Sequence, residues 1–161
     1  MVMVREATDE DWQAVRDARL AALREAPDAF ASTAEDEAAY SEQDWRAWTQ
    51  VGGRGVLYLA GVAGVPEPAG IAGTLAVDGE AHLISMWVHP AGRGQKVGQE
   101  LIEAAAGWAR SRGFDTLYLW VTESNGPARQ LYERCGFTLT GQRQPLPSNP
   151  ALPEIKMSRP L

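Results

Sequence analysis

Little in this chain suits metal or redox chemistry: among 161 residues there is one cysteine, Cys135, and there are two histidines. A single cysteine excludes an internal disulfide and any cysteine-rich zinc site, so no metal is expected, and it fits a reduced, cytoplasmic setting. No apolar run approaches the roughly 20 residues of a membrane span, and the opening MVMVREATDEDW lacks the basic and apolar parts of a signal peptide, so no membrane partner is expected. Positive charge is not in excess either. The formal net charge of −6 argues against nucleic acid as a partner, because phosphate contacts need a basic face. Repeats, low-complexity tracts and linkers are missing too, and residues 1–161 read as one domain. Glycines do precede a helical stretch, but no GK[ST] follows them, which argues against a nucleotide-binding P-loop.

What is present begins with an uneven charge. Residues 1–50 carry 12 of the 21 acids but 5 of the 15 Lys and Arg, a balance of −7, and the rest of the chain balances at +1. Such a split suits a cationic substrate on one side and an anionic cofactor on the other, or two helices that show acidic faces to water. VMVR is a short strand candidate. From Thr8 the pattern turns helical, with Trp12, Val15, Ala22 and Leu23 on one face and Arg19 inside it, where a charge is either paired or lines a cleft. Pro27 breaks that helix, and a second helical region follows with Thr33 and Ser41 as cap-like residues.

Three strand-like runs come next, GVLYLAGVAG, AGIAGTLAV and AHLISMWV, the last two joined by the tight-turn pair Asp78-Gly79. A helical stripe of Val97, Leu101, Ala105 and Trp108 precedes the apolar strand FDTLYLWV, so the segment from His82 to Val121 reads as a crossover unit with parallel pairing. A short helix ending at Gly136 and two closing strands complete the order β α α β β β α β α β β.

The stretch VHPAGRGQKVGQEL joins a strand to that long helix through Arg93, Gly94 and Gly98. Backbone N–H groups at a helix start are free donors at the positive dipole end, so a pyrophosphate fits there with few side-chain charges. Gly94 and Gly98 would allow close approach or positive φ, or serve only helix packing. If Lys96 has ordinary helical φ and ψ, its N–H is kept as a donor and its ammonium lies near the phosphates.

Val88, Pro90, Arg93, Gly94, Gly98 and Leu101, followed about 30 residues later by Asn125, Ala128, Leu131, Tyr132, Gly136 and Phe137, resemble the RxxGxG and NxxAxxLYxxxGF segments of the GNAT superfamily of acetyl-CoA-dependent N-acetyltransferases. The resemblance implies an α+β fold, a central mixed and mostly antiparallel sheet of about seven strands flanked by about four helices. It implies acetyl-CoA as donor cosubstrate, an amine acceptor, direct acetyl transfer and, as is frequent in the family, a homodimer. In that family, Lys96 occupies the position most often taken by a middle glycine.

By the same resemblance the coenzyme pyrophosphate is gripped by Arg93, Gly94, Gln95 and Lys96 together with Val97, Gly98 and Gln99. Backbone amides of Met86, Trp87 and Val88 polarise the thioester. Tyr132 protonates the departing thiolate, and Asn125, with neighbouring Ala128, holds the pantetheine arm. Arg129, one turn on, reaches a phosphate or faces solvent. The harder proton problem is the amine, whose pKa near ~10 exceeds the ~8.5 of a thiol. Relatives that acetylate protein termini carry a glutamate where this chain has Trp120, which cannot accept the proton. The glutamate that others carry early in the fourth strand corresponds to His82, a base or a hydrogen-bonded strand-end residue; Glu80 and Glu123 are further candidates. Cys135 is simplest as a small core residue, with no evident partner for a covalent route.

In the family the acceptor groove borders the first two helices. Here that places Phe30, Tyr40 and Trp45 as aromatic walls, Glu35, Asp36 and Glu37 as amine attractors, and Arg19 and Trp120 as further substrate contacts. A primary amine of a small molecule is the expected acceptor, with a protein amine second. An acyl-CoA sensor without catalysis is the alternative.

Overall fold

In the computed structural model, which describes residues 1–161, the chain opens with strand β1 (Val2–Glu6), passes a short 3-10 turn, and forms helix α1 (Trp12–Glu25). Pro27 stops α1 as expected: Ala26 leaves helical geometry and a 3-10 turn covers Pro27–Ala29. The next helical region is two helices, α2 (Ala34–Ala38) and α3 (Glu42–Trp48), so the sheet is flanked by five α-helices where about four were expected. The reason is that both predicted caps act. Thr33 Oγ1 accepts from Asp36 N at 3.1 Å, and Ser41 Oγ accepts from Asp44 N at 3.1 Å while Asp44 Oδ2 accepts from Ser41 N. An N-cap residue is extended, so a second cap this soon after the first forces a break.

Strands β2 (Gly55–Val62), β3 (Gly70–Val77) and β4 (Glu80–Val88) follow as an antiparallel meander, then helix α4 (Val97–Ser111), β5 (Thr116–Thr122), helix α5 (Gly126–Arg134), β6 (Thr138–Leu146) and β7 (Asn149–Pro160). The sheet order is β1-β2-β3-β4-β5-β7-β6, with β4 and β5 parallel and every other pair antiparallel. This is the mixed, mostly antiparallel seven-stranded sheet that the sequence led us to expect. No helix is long and apolar enough to cross a membrane.

Each face of the sheet carries its own core. The apolar stripe of α4, with Leu101, Ile102, Ala105 and Ala109 wholly buried, packs with Leu117, Leu119, Tyr132, Phe137 and Met157 on one face. On the other, Val15, Leu23, Trp45, Leu57, Ile71 and Trp87 bring α1 and α3 down onto β2, β3 and β4. Full burial of each of these aliphatic side chains contributes about 1.5–3 kcal/mol.

Strand β4 changes faces partway. Ile71 pairs with Trp87 and Gly73 with Ile84, so Ser85 and Met86 together oppose a single residue, Ala72, and Ser85 takes φ 57°. This bulge breaks the alternation: Ile84 packs in the α1 core while Met86 packs in the α4 core. The sheet parts on the other edge of β4, and does so before the bulge is reached. Only Ala81↔Leu117 and His82↔Tyr118 join β4 to β5, although the strands continue to Val88 and Thr122.

Candidate active site

The parted strands point at the start of α4. There the amides of Gly94, Gln95, Lys96, Val97, Gly98 and Gln99 find no backbone acceptor, and the first helical bond of this end is Glu100 N to Lys96 O at 3.1 Å. A row of free donors at the positive end of a fifteen-residue helix offers what an anion needs. Two of its residues are left-handed, Gly94 at φ 81° and Lys96 at φ 67°. Lys96 does not have ordinary helical φ and ψ: it is the N-cap of α4, in the region that a side chain with Cβ disfavours, and its N–H still finds no backbone acceptor. The backbone still makes the turn that a middle glycine would make, with strain added. Lys96→Gly is expected to raise stability by about 1 kcal/mol, seen as a higher urea midpoint. Gly98 is right-handed and serves packing, because a Cβ there would meet Leu131 Cδ2 of α5 at 2.9 Å.

The Arg93 guanidinium, half exposed, turns toward the end of α1. It forms an ion pair with Glu25 at the end of α1 and donates from Nε to the Val88 carbonyl at 3.2 Å. Trp87 Nε1 also donates to Glu25 Oε1, at 3.3 Å. Arg93 and Trp87 thus tie the loop and the end of β4 to α1 through one carboxylate.

Across the parting, α5 presents Tyr132, buried and edge-on to Phe137 with ring centroids 5.9 Å apart. No hydrogen bond holds its hydroxyl, and burial pushes the phenol well above its ordinary range, so it stays protonated. Asn125 caps α5 by accepting from Ala128 N at 3.3 Å, which leaves its NH2 group for another partner. Arg129 turns elsewhere: Nη1 donates to the Glu123 carbonyl at 3.1 Å, and the side chain lines a cavity of about 250 Å³ with Arg143 and Lys156. Glu123 is drawn to Arg143, at 2.5 Å. Burial pushes the Cys135 thiol up, which disfavours a thiolate nucleophile.

On the face toward α1, His82 Nε2 lies 3.0 Å from Glu80 Oε1 and its ring is 5.7 Å from Tyr118. Lys156 donates to the same Glu80 oxygen at 2.9 Å and sits 4.3 Å from the Tyr118 ring centre and 6.0 Å from that of Trp120. These contacts hold the Glu80 carboxyl below its usual range, the Lys156 hydrogen bond most of all. Arg19 is paired: its fork donates to Glu37 at 2.8 and 3.0 Å, Nη1 lies 3.3 Å from Ser85 Oγ, and Phe30 lies beneath the guanidinium at 4.8 Å. Glu37 is therefore not open to solvent as an amine attractor, and Arg19 has its fork committed. Trp45 lies in the core and Tyr40 packs against it at 5.3 Å, half exposed. Phe30 is likewise part of the α1 core, 8% exposed and covered by Arg19, so it is no open aromatic wall, whereas Trp120 is half-buried on the same face of the sheet as His82. No group of three or more His, Cys, Asp or Glu side chains converges as a metal site.

Sequence reasoning missed Glu25, Ser85 and Lys156. For Glu25 there was a signal, since an arginine in a glycine loop calls for an acceptor; nothing in the sequence marked the bulge at Ser85 or the register that sets Lys156 beside Glu80.

The parallel strands β4 and β5 thus part beside a helix start whose amides are unpartnered, an arrangement suited to a ligand that carries phosphate. Residues 12–137 match the Acetyltransferase (GNAT) family, and the chain belongs to that family. It is 37% identical over 115 residues to a streptothricin acetyltransferase of Streptomyces lavendulae, across 71% of this chain and 56% of that protein. It thus spans about half the length of that curated relative. Among solved structures, the ribosomal-protein-S18-alanine N-acetyltransferase of Escherichia coli aligns with a TM-score of 0.70 at 26% identity, covering 99% of this chain and 94% of the other. A Salmonella typhimurium protein solved with its cofactor acetyl-CoA aligns with a TM-score of 0.79 at 20% identity, covering 100% and 94%, a likeness of fold alone.

Proposed function

We propose that the protein transfers an acetyl group from acetyl-CoA to the primary amine of a small molecule. The observation that carries this reading is the run of unpartnered amides from Gly94 to Gln99, set where β4 and β5 part. A pyrophosphate fits those donors, the Asn125 NH2 group is free toward the pantetheine arm, and Gly98 lets α4 and α5 close on each other at Leu131. Bound there, acetyl-CoA supplies an activated acetyl thioester.

The protein's own groups then divide the proton work. His82, oriented by Glu80, takes the proton of the acceptor amine directly or through a water. Amides of Met86 to Val88, beyond the bulge, face the developing negative charge. Tyr132 returns a proton to the leaving thiolate from a hydroxyl that burial keeps protonated. The exposed carboxylates of Glu35 and Asp36 in the first turn of α2 and the aromatic ring of Trp120 favour a cationic, partly apolar acceptor.

Thiol release from acetyl-CoA, followed with a panel of small amines, amino acids and peptides, tests the reading. Release with small amines supports it; tight acetyl-CoA binding without release for any acceptor would make the protein a sensor. In the same assay His82→Ala is expected to lower kcat about 10-fold, since Glu80 stays near enough to act through water, and to remove the acidic limb of the pH–rate profile. An unchanged profile would take His82 out of the mechanism.

A further inference from the structure

Two carboxylates of this chain are deeply buried, Glu37 and Glu154. Arg19 neutralises Glu37, whereas Glu154, 6% exposed, has one hydrogen bond, from Gln144 Nε2 at 2.5 Å, and no cation paired with it. Burial pushes its carboxyl above the ordinary range, with Gln144 offsetting part of the shift. A carboxylate whose folded-state pKa is raised weakens the fold once it is ionised, and stability rises as pH falls through that pKa. Glu154 is therefore a burden on the fold at neutral pH, which the mechanism above does not use.

Its position gives it a use. Glu154 pairs with Thr122 and Lys156 with Trp120 across β5 and β7, so alternation sets Glu154 on the same face as Trp120, Tyr118 and His82. The Thr122 hydroxyl donates to the Asp28 carbonyl, the Ser148 hydroxyl to the Phe30 carbonyl, and Asn149 Nδ2 to Asp28 Oδ1 at 3.3 Å. The segment after α1 and the β6–β7 turn thus meet at this end of the face and bring the Asp28 carboxylate with them. The Glu80 and His82 pair lies at the other end, four residues back along β5 and on its other side, a backbone separation of roughly 16 Å by strand rise and spacing. Lys156, the only cation between them, is held by Glu80.

Resting on the reading of this face as the acceptor side, we propose that Glu154 anchors a second cationic nitrogen of the acceptor. The preferred acceptors are then diamines or polyamino compounds, with one amine at the His82 end and an ammonium at Glu154. An ammonium supplies the charge and the hydrogen bonds that this carboxylate lacks in the free protein.

Titration calorimetry on the full chain tests this with alkane diamines of graded length and the matching alkyl monoamines as probes. A diamine of fitting length is expected to bind about 10-fold tighter than its monoamine. Glu154→Gln should abolish that preference, leave the monoamine unaffected and leave Tm unchanged or higher, since glutamine can still accept from Gln144. Absence of a diamine preference in the unaltered protein, equal weakening of both probes by Glu154→Gln, or a lowered Tm with diamine binding intact would each overturn the proposal. Thiol release in the same samples separates the two ideas. Diamines that bind through Glu154 but release no thiol with acetyl-CoA sink the transfer reading alone, and diamine turnover whose KM ignores Glu154→Gln sinks the anchor alone.

Discussion

Tyr132→Phe is expected to lower kcat about 100-fold while leaving KM for acetyl-CoA and thermal stability nearly unchanged, because positioned acids contribute 10²-fold or more to proton transfer. The separation follows from what the hydroxyl does not do. It holds no partner within the protein, so removing it breaks no hydrogen bond, and the ring keeps its edge-on contact with Phe137 in the core beneath α4. Burial raises the phenol far enough that it is protonated at every pH where the enzyme would be assayed, so the loss should be flat across the pH–rate profile. His82→Ala should instead change the shape of the profile. Steady-state kinetics with a good and a poor amine would check this. Equal kcat for Tyr132→Phe and the unaltered protein would remove Tyr132 from the chemistry and leave it as a core aromatic.

The strands and helices were legible wherever local pattern and tertiary need agree. The α4 stripe, the Asp78-Gly79 turn and the crossover from β4 to β5 all carry their signal in consecutive residues. The division of the second helical region at Ser41 was legible in principle, because Ser41 and Asp44 form a capping box whose geometry interrupts a helix. The parting of β4 from β5 was not, since pairing ends after His82 and Tyr118 although the apolar Leu83 and Leu119 that follow give no sign of a break. Lys96 shows the same limit at one position: lysine carries no mark of a left-handed site, yet the loop closes only if the residue there adopts one. In the candidate site, the residues on contiguous motifs, from Arg93 to Gln99 and from Asn125 to Tyr132, could be named from the sequence. The partners that orient them could not. Glu25 reaches Arg93 across 68 positions and Lys156 reaches Glu80 across 76, and no local spacing encodes such pairs.

Arg19→Met is expected to cost about 3–5 kcal/mol, the usual penalty for stripping one partner from a buried ion pair, read as a lower urea midpoint and reduced soluble yield. Side-chain exposure is 8% for Arg19 and 5% for Glu37, so the carboxylate left behind has no solvent to turn to. The guanidinium also joins three separate parts of the fold: α1, which carries it, α2 through Glu37, and the β4 bulge through the Ser85 hydroxyl. Substitution should therefore loosen both the segment between α1 and α2 and the bulge, and raise KM for the acceptor more than for acetyl-CoA. Arg19→Met combined with Glu37→Leu should recover most of the lost stability, because exchanging both charges for apolar groups of similar volume removes two desolvation penalties with the pair. Recovery of stability without recovery of acceptor KM would mean that the pair shapes the groove, since a purely structural pair would restore both together. A single substitution that left the urea midpoint unchanged would show that water reaches Glu37 in solution and that the pair is not the clamp its geometry describes.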